Sequence, residues 1–589
     1  MDLFFADASG LHPPFPWGSR GSDILVLCPD DVTLWRCGSL GLKGVLADEE
    51  VPFIGPGSWD SVVGHCARLA RSWRLDAEGR DFTLYKGTSL GYLMEGLVWG
   101  VTFGRLYKFA DTALRLAREH RPQTAWLASG LHAHKKALVE SLCRSEGIRL
   151  ERLRPGPPAC RDPRLTSDFC SWPLMQHRWK RRILNLGRGR PRAGRKRVLA
   201  SSYYTIEPLI AALGAEKDID PVFYNWPGRR LIGMPGWRRW RFLTSPKDSG
   251  LGADGTTRLK EMLSRFQEVS SSRRYQSRFE LEGLDCWEAA RPRLSRIVSE
   301  DFPVLADALE RLSAALDEEK PDLVLVPYDG SPPERLLIDL ARQRGIPSAL
   351  MLHGISAIPR PGIEDIGADH LLVWGPALAD AYVEMGFPRD RITATGYPML
   401  DVLARDARRP RPAGRPVRVL CVSSCGPIEP TFGTALDILR SFPGIEVTLK
   451  LHPGESPEPY SKVLAKRLDG RCRLEWRKPM ADLLLDADLV VSPPSGAVFE
   501  ALALGIPVVL LNLAGLRLPP PYSGNWGLDP VCSASALKAR LEELLPDRVP
   551  RSVDHSRVLE AFIGKPDGGC ARRAIDVLRS LMNKEAPTS

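Results

Sequence analysis

The chain has 589 residues, of which 43% are hydrophobic and 26% charged, and its formal net charge is +10. This composition excludes a mostly disordered chain and a single small core; it calls for two or three domains, each able to bury its own interior. No run of about 18 apolar residues escapes a charge, which excludes a helical membrane span, and Asp2 and Asp7 stand where a secretory leader would carry Lys or Arg, so a cytoplasmic protein is expected.

The positive balance suits nucleic acid, anionic lipid or phosphorylated substrates and does not choose among them. The twelve cysteines are scattered. Only Cys421 and Cys425 lie close together, without a second pair at zinc-ligand spacing, so free buried thiols are expected and no metal site.

In chain order, residues 1–177 form an N-terminal α/β region that opens with the strand DILVLCP from Asp23. After a Gly/Pro-interrupted stretch come a helix from about Gly87, a strand TAWLAS and a helix over 134–146. The segment ALRLAREHRPQTAWLASGLHAHKKALVESLCRSEGIRLERL resembles the later LERLSAALDEEKPDLVLVPYDGSPPERLLIDLARQRGIPSALML. A duplicated half-domain and ordinary α/β periodicity both account for that similarity.

Residues 178–196 read as a basic linker; the run RWKRRILNLGRGRPRAGRKR holds ten basic residues and no acid. It suits a solvated connector or a surface resting on anionic lipid, together with the cluster Trp237-Arg238-Arg239-Trp240-Arg241. Nucleic acid is not expected, because no DNA- or RNA-reading motif is present. A Rossmann-like domain spans 197–405, with an Arg-, Ser- and Trp-rich insertion at 228–284. Residues 406–416 form a Pro/Arg-rich linker, which can neither continue a helix nor supply many backbone donors. A second Rossmann-like domain spans 417–589.

In both domains, apolar strand runs end in Gly, Ser, Pro or His clusters and then enter helices. That is how a doubly wound parallel sheet presents loops and helix N-termini to a phosphate-bearing ligand. The fold class expected is therefore α/β, two Rossmann-like domains facing a cleft.

The ordered elements His353-Gly354, Gly396, Pro398 and Asp401 in TGYPMLD, His452-Pro453 in KLHPGE, and Ser492, Ser495 and Glu500 in SPPSGAVFEA resemble a known pattern. It is that of the GT-B glycosyltransferases of bacterial surface-polysaccharide assembly, including capsule transferases and teichoic-acid glycerophosphotransferases. The UDP-N-acetylglucosamine 2-epimerases are structural cousins. The resemblance covers residues 320–512 well and does not reach the first 190. It implies a nucleotide-activated donor as co-substrate, a glycan or lipid-linked glycan acceptor, no further cofactor and no metal. With the basic run at 178–197 and the cluster at 237–241, the expected location is the cytoplasm, peripheral at the inner face of the plasma membrane.

Roles follow from position. Ser492 closes a strand, and Ser495 and Gly496 open the next helix, so hydroxyls and N–H groups converge where a phosphate is favoured; Ser495 as a plain N-cap is the alternative. The resemblance assigns Glu500 to the donor's ribose or sugar; a surface charge is the alternative. His452, aimed off a strand end by Pro453, can donate to phosphate. His353 ends a strand and can accept a proton from an attacking hydroxyl; Asp329 is the competing base, the group that orients His353, or a turn-capping residue. The epimerase reading ranks lower, since MLHG stands where those enzymes carry an acidic residue before Ala-Gly, and elimination and re-addition need that acid/base group. A noncatalytic basic scaffold is the remaining rival. P-loop, HExxH and GxSxG motifs are absent.

Overall fold

A computed structural model describes residues 1–8, 11, 23–47, 59–128, 130–153, 185, 194–225, 240–244, 250–354, 366–403, 415–424, 427–513, 515, 518, 520–522, 526–545 and 554–583. Most of the basic run 178–197, the residues Trp237 to Arg239, and the linker up to residue 414 lie outside these.

The chain begins with β1 (Asp2–Phe5), β2 (Ile24–Cys28) and β3 (Lys43–Leu46), then a hairpin of β4 (Leu84–Tyr85) and β5 (Thr88–Ser89), then β6 (Thr124–Leu127) and β7 (Arg149–Arg152). Next come β8 (Lys196–Ala200), β9 (Ile219–Phe223) and β10 (Arg241–Phe242), a second hairpin of β11 (Glu280–Leu281) and β12 (Leu284–Asp285), and β13 (Leu323–Val326), β14 (Ser348–Met351), β15 (His370–Val373) and β16 (Ile392–Ala394). The last group is β17 (Val417–Val422), β18 (Ile445–Lys450), β19 (Cys472–Glu475), β20 (Leu489–Ser492) and β21 (Val508–Leu510).

Three parallel sheets result, ordered β3-β2-β1-β6-β7, β10-β9-β8-β13-β14-β15-β16 and β19-β18-β17-β20-β21. Each winds outward from its first strand and then returns to that strand's other side. The order therefore reverses once per sheet, and a crevice opens at the strand ends there. Central strands such as ILVLC, LVLV and LVVS are buried on both faces, as helix-covered parallel sheets require. The expected α/β fold with two Rossmann-like domains is present, and the N-terminal region supplies a third sheet of the same winding.

The first two sheets belong to matched halves. Each half has a hairpin, a π-helical turn (Val98–Gly104; Ile297–Asp301), a long helix (Arg105–His120; Phe302–Glu319), and then a strand, helix and strand. Among the described residues only four non-glycines have left-handed φ, and they fall in two pairs: Lys86 (49°) with Glu282 (48°) in the hairpins, and Arg121 (43°) with Lys320 (48°) after the long helices. Such a conformation costs about 1–2 kcal/mol per residue, so its recurrence at matched places favours duplication over shared periodicity. The halves clasp reciprocally: Lys86 Nζ and Tyr85 Oη reach Glu310 on the second long helix at 2.7 and 2.9 Å, and Arg118 on the first reaches Glu282 at 2.7 Å. One apolar core runs through both, from Phe5, Phe103 and Phe109 to Phe279, Trp287 and Phe302.

The segment expected as an insertion is part of this packing. Tyr275 Oη donates to Trp73 O at 2.5 Å, and the Arg278 guanidinium donates to the carbonyls of Ser72, Leu75 and Asp76. Trp240 and Arg241, expected to face a lipid headgroup layer, are both buried: Trp240 stacks on Phe223 at 4.0 Å, and Arg241 pairs with Asp220 at 3.0 Å and with Glu319. Their partners lie some twenty and eighty residues away, so charge in the local sequence read as exposure.

The C-terminal chain crosses back over the second sheet. Tyr397 N–H donates to Ile563 O at 2.8 Å, and the Asp401 carboxylate accepts the N–H groups of Cys570 and Ala571 at 3.0 and 2.8 Å, capping helix Cys570–Asn583. Gly396 has φ 95°, and a Cβ there would overlap Cys570 Sγ, so glycine is required on both counts. No helix among the described residues is long and apolar enough to cross a membrane.

Candidate functional site

On the second sheet the neighbouring parallel strands β13 and β14 are followed by Pro327, one residue past Val326, and by His353, two past Met351. His353 Nδ1 lies 3.0 Å from Pro327 O. A carbonyl only accepts, so Nδ1 carries the proton and Nε2 presents a lone pair. The ring is held edge-on by Tyr203 and Tyr328, with centroids at 5.2 and 5.0 Å, and Tyr204 continues the row 4.8 Å from Tyr203. Burial lowers the affinity of His353 for a second proton; the Pro327 carbonyl opposes this and the charge of His452 adds to it. Orientation of His353 thus comes from a backbone carbonyl. The Asp329 carboxylate accepts the Gly367 N–H at 2.7 Å, and its own carbonyl accepts from Arg335 Nε at 2.6 Å, which is the turn-holding role.

Arg335 also donates to Tyr92 O at 3.0 Å and lies over the Tyr92 ring at 4.7 Å, tying the 327–331 loop to the first half of the molecule. A Cβ on Gly96 would overlap the Gly330 carbonyl oxygen, so the first half presses directly on this loop. Beneath it Glu334 accepts from Ser201 Oγ at 2.9 Å and from Ser331, and burial raises its pKa.

On the third sheet, the His452 N–H is bound by Ser423 Oγ at 2.8 Å and by Glu455 Oε2 at 2.9 Å. His452 Nδ1 accepts the Gly454 N–H at 3.1 Å, so a neutral ring carries its proton on Nε2. Burial lowers its pKa, Glu455 opposes and Lys450 adds to the lowering. The two imidazoles, both neutral near pH 7, therefore present opposite functions. His353 Nε2 accepts, and His452 Nε2–H donates.

Ser492 Oγ lies 2.9 Å from Ser495 Oγ and donates to Pro493 O at 2.7 Å. Ser495 precedes helix Gly496–Ala503 without making a side-chain cap bond, which decides against the plain N-cap reading. Four residues in from Gly496, Glu500 is buried, not a surface charge. Its Oε1 accepts Tyr397 Oη at 2.6 Å, across from the third sheet to the second; burial raises its pKa and the Tyr397 bond opposes. Glu500 also raises the pKa of Tyr204, after burial, which links the serine turn's helix to the tyrosine row beside His353. His353 and His452, and likewise Tyr204 and Glu500, thus lie within electrostatic reach of one another.

Sequence reasoning missed the three tyrosines, Glu334 and Tyr397. The signal for Tyr203, Tyr204 and Tyr328 was available: aromatic residues directly after apolar strands, in SSYYT and VPYDG. Among the described residues, no group of three or more His, Cys, Asp or Glu is placed to hold a metal ion.

No protein-family model and no curated protein matches the chain. Solved structures that align with it include Staphylococcus aureus MnaA with UDP (16% identity, 66% of this chain and 97% of that one, TM-score 0.42). A UDP-N-acetylglucosamine 2-epimerase from Rickettsia bellii aligns at 14% identity over 66% and 97%, with TM-score 0.42. A glycosyltransferase from Rickettsia africae aligns at 10% identity over 66% and 100%, with TM-score 0.41. Likeness this distant carries no information on shared chemistry.

Proposed function

We propose that the protein is a glycosyltransferase that moves a sugar, or a polyol-phosphate unit, from a nucleotide-activated donor to a surface-glycan acceptor, without a metal or further cofactor. The observation that carries this reading is the pair of neutral imidazoles fixed in opposite tautomers on two facing sheets. In sugar transfer His353 Nε2 takes the acceptor hydroxyl's proton as that oxygen attacks the anomeric carbon. The bond from that carbon to the donor phosphate breaks, and its electron pair leaves with the phosphate. In polyol-phosphate transfer the oxygen attacks the distal phosphorus and the P–O bond to the nucleotide breaks instead. His452 Nε2–H, the Ser492 and Ser495 hydroxyls and the N–H groups that open helix Gly496–Ala503 meet the charge that develops there. To this reading belongs direct in-line attack with inversion, and the configuration of the product checks it against retention. Glu500 orients the donor sugar from its place beside Tyr397 and Tyr204.

A panel of UDP-, GDP-, CMP- and CDP-linked donors, followed for nucleotide release with and without lipid-linked glycan, tests this directly. Acceptor-dependent release is expected, falling at least about a hundredfold in His353→Ala and in His452→Ala. Near-normal turnover in both variants would reject the site. Conversion of UDP-N-acetylglucosamine alone would establish the epimerase instead. Association with anionic vesicles through residues 178–197 belongs to the same proposal and is checked by charge reversal in that run.

A further inference from the structure

Tyr203, Tyr204 and Tyr328 are among the few large apolar side chains left exposed, at 37, 43 and 39%. All three follow strand ends of the second sheet, and they surround the proposed base. Tyr203 and Tyr328 meet His353 at interplanar angles of 81° and 74°, so both phenol rings stand roughly perpendicular to the imidazole. The row is built rather than incidental. Asn225 locks the residue before it, accepting the Ser202 N–H at 2.7 Å and donating to Ser202 O at 2.8 Å. A Cβ on Gly330 would overlap the Tyr328 hydroxyl, so the loop admits that ring only because residue 330 is glycine.

Resting on the transferase reading above, we infer that these tyrosines form the acceptor subsite and that the acceptor is a pyranose glycan. An aromatic face is negative and the axial C–H groups of a pyranose are weakly positive, so the two stack while ring hydroxyls stay directed at the rim. Seated on Tyr203 or Tyr328, a sugar brings one hydroxyl over His353 Nε2. The donor's phosphate determinants lie on the other lobe, which leaves this row to the second substrate.

The test uses the full chain and saturation-transfer NMR with chitopentaose, cellopentaose, maltopentaose and a glycerol-phosphate oligomer, alongside calorimetric titration with UDP, GDP, CMP and CDP. At least one pentaose should bind, with its ring C–H protons receiving the transfer. Tyr203→Ala and Tyr328→Ala should weaken that binding tenfold or more, Tyr328→Phe should retain it, and nucleotide affinity should be unchanged in all three. Pentaose silence in the wild type, loss of the glycerol-phosphate oligomer in place of a pentaose, or unaltered pentaose affinity in both alanine variants would overturn the inference. Nucleotide silence in the wild type would instead overturn the transferase reading, and unchanged circular dichroism melts exclude unfolding as the cause of any loss.

Discussion

His353 and His452 owe their complementary behaviour to two backbone groups, a carbonyl and an N–H, that no side-chain substitution nearby would remove. Burial holds both imidazoles below the ordinary value of 6.5. Protonation that would disable the base therefore begins at lower pH than in a free histidine, and the acid limb of the rate profile is expected to have its midpoint below 6.5. A midpoint above 6.5 would contradict the burial. In stability the sign is the same: the unfolded chain binds those protons first, so acid weakens the fold below about 6.5 and the effect vanishes above it. Glu500 runs the other way. Its folded pKa is raised above 4.5, so its contribution is complete below 4.5 and is lost as pH rises through the folded value. Glu500→Gln keeps an acceptor for Tyr397 and removes the titration; urea unfolding between pH 5 and 8 is expected to flatten relative to the wild type.

At the scale of elements, the turn TGYPMLD anchors helix Cys570–Asn583 through Asp401. Asp401→Ala removes the acceptor of two buried N–H groups and is expected to cost about 1–2 kcal/mol. Hydrogen exchange should locate the loss in the first turn of that helix. Strand and helix order over residues 320–512 was legible because apolar runs and punctuating Gly, Pro and His residues alternate with the right periods. The first sheet was less legible, because its central strand is the four-residue Asp2–Phe5 at the chain start and the evident strand, Ile24–Cys28, is its neighbour. The burial of Glu500 could not be read at all, since Tyr397 lies 103 residues away. The serine turn was legible as a strand end that opens into a helix, but only geometry shows Ser495 bonding to Ser492 in place of capping its helix.

Across the whole molecule, the third sheet is held by both halves of the pair below it. Asp31 in the first half accepts the Ile428 N–H at 3.0 Å, and Tyr397 in the second reaches Glu500. The first half thus touches the lobe of the third sheet and, through Tyr92 and Gly96, the loop beside the proposed base. Because its core is continuous with that of the second half, a chain starting at residue 194 should expose Phe279, Trp287 and Phe302. Expressed alone it is expected to aggregate or bind a hydrophobic dye, and co-expression with residues 1–193 should restore soluble protein. Independent folding of the shorter chain would show that the shared core is dispensable.

The reciprocal hairpin contacts have the form of a two-fold interface, with both of its faces on one polypeptide. Assembly between separate subunits weakens on dilution, whereas a covalently joined pair meets at fixed effective concentration. The two mates can then diverge in sequence without either being lost by dissociation.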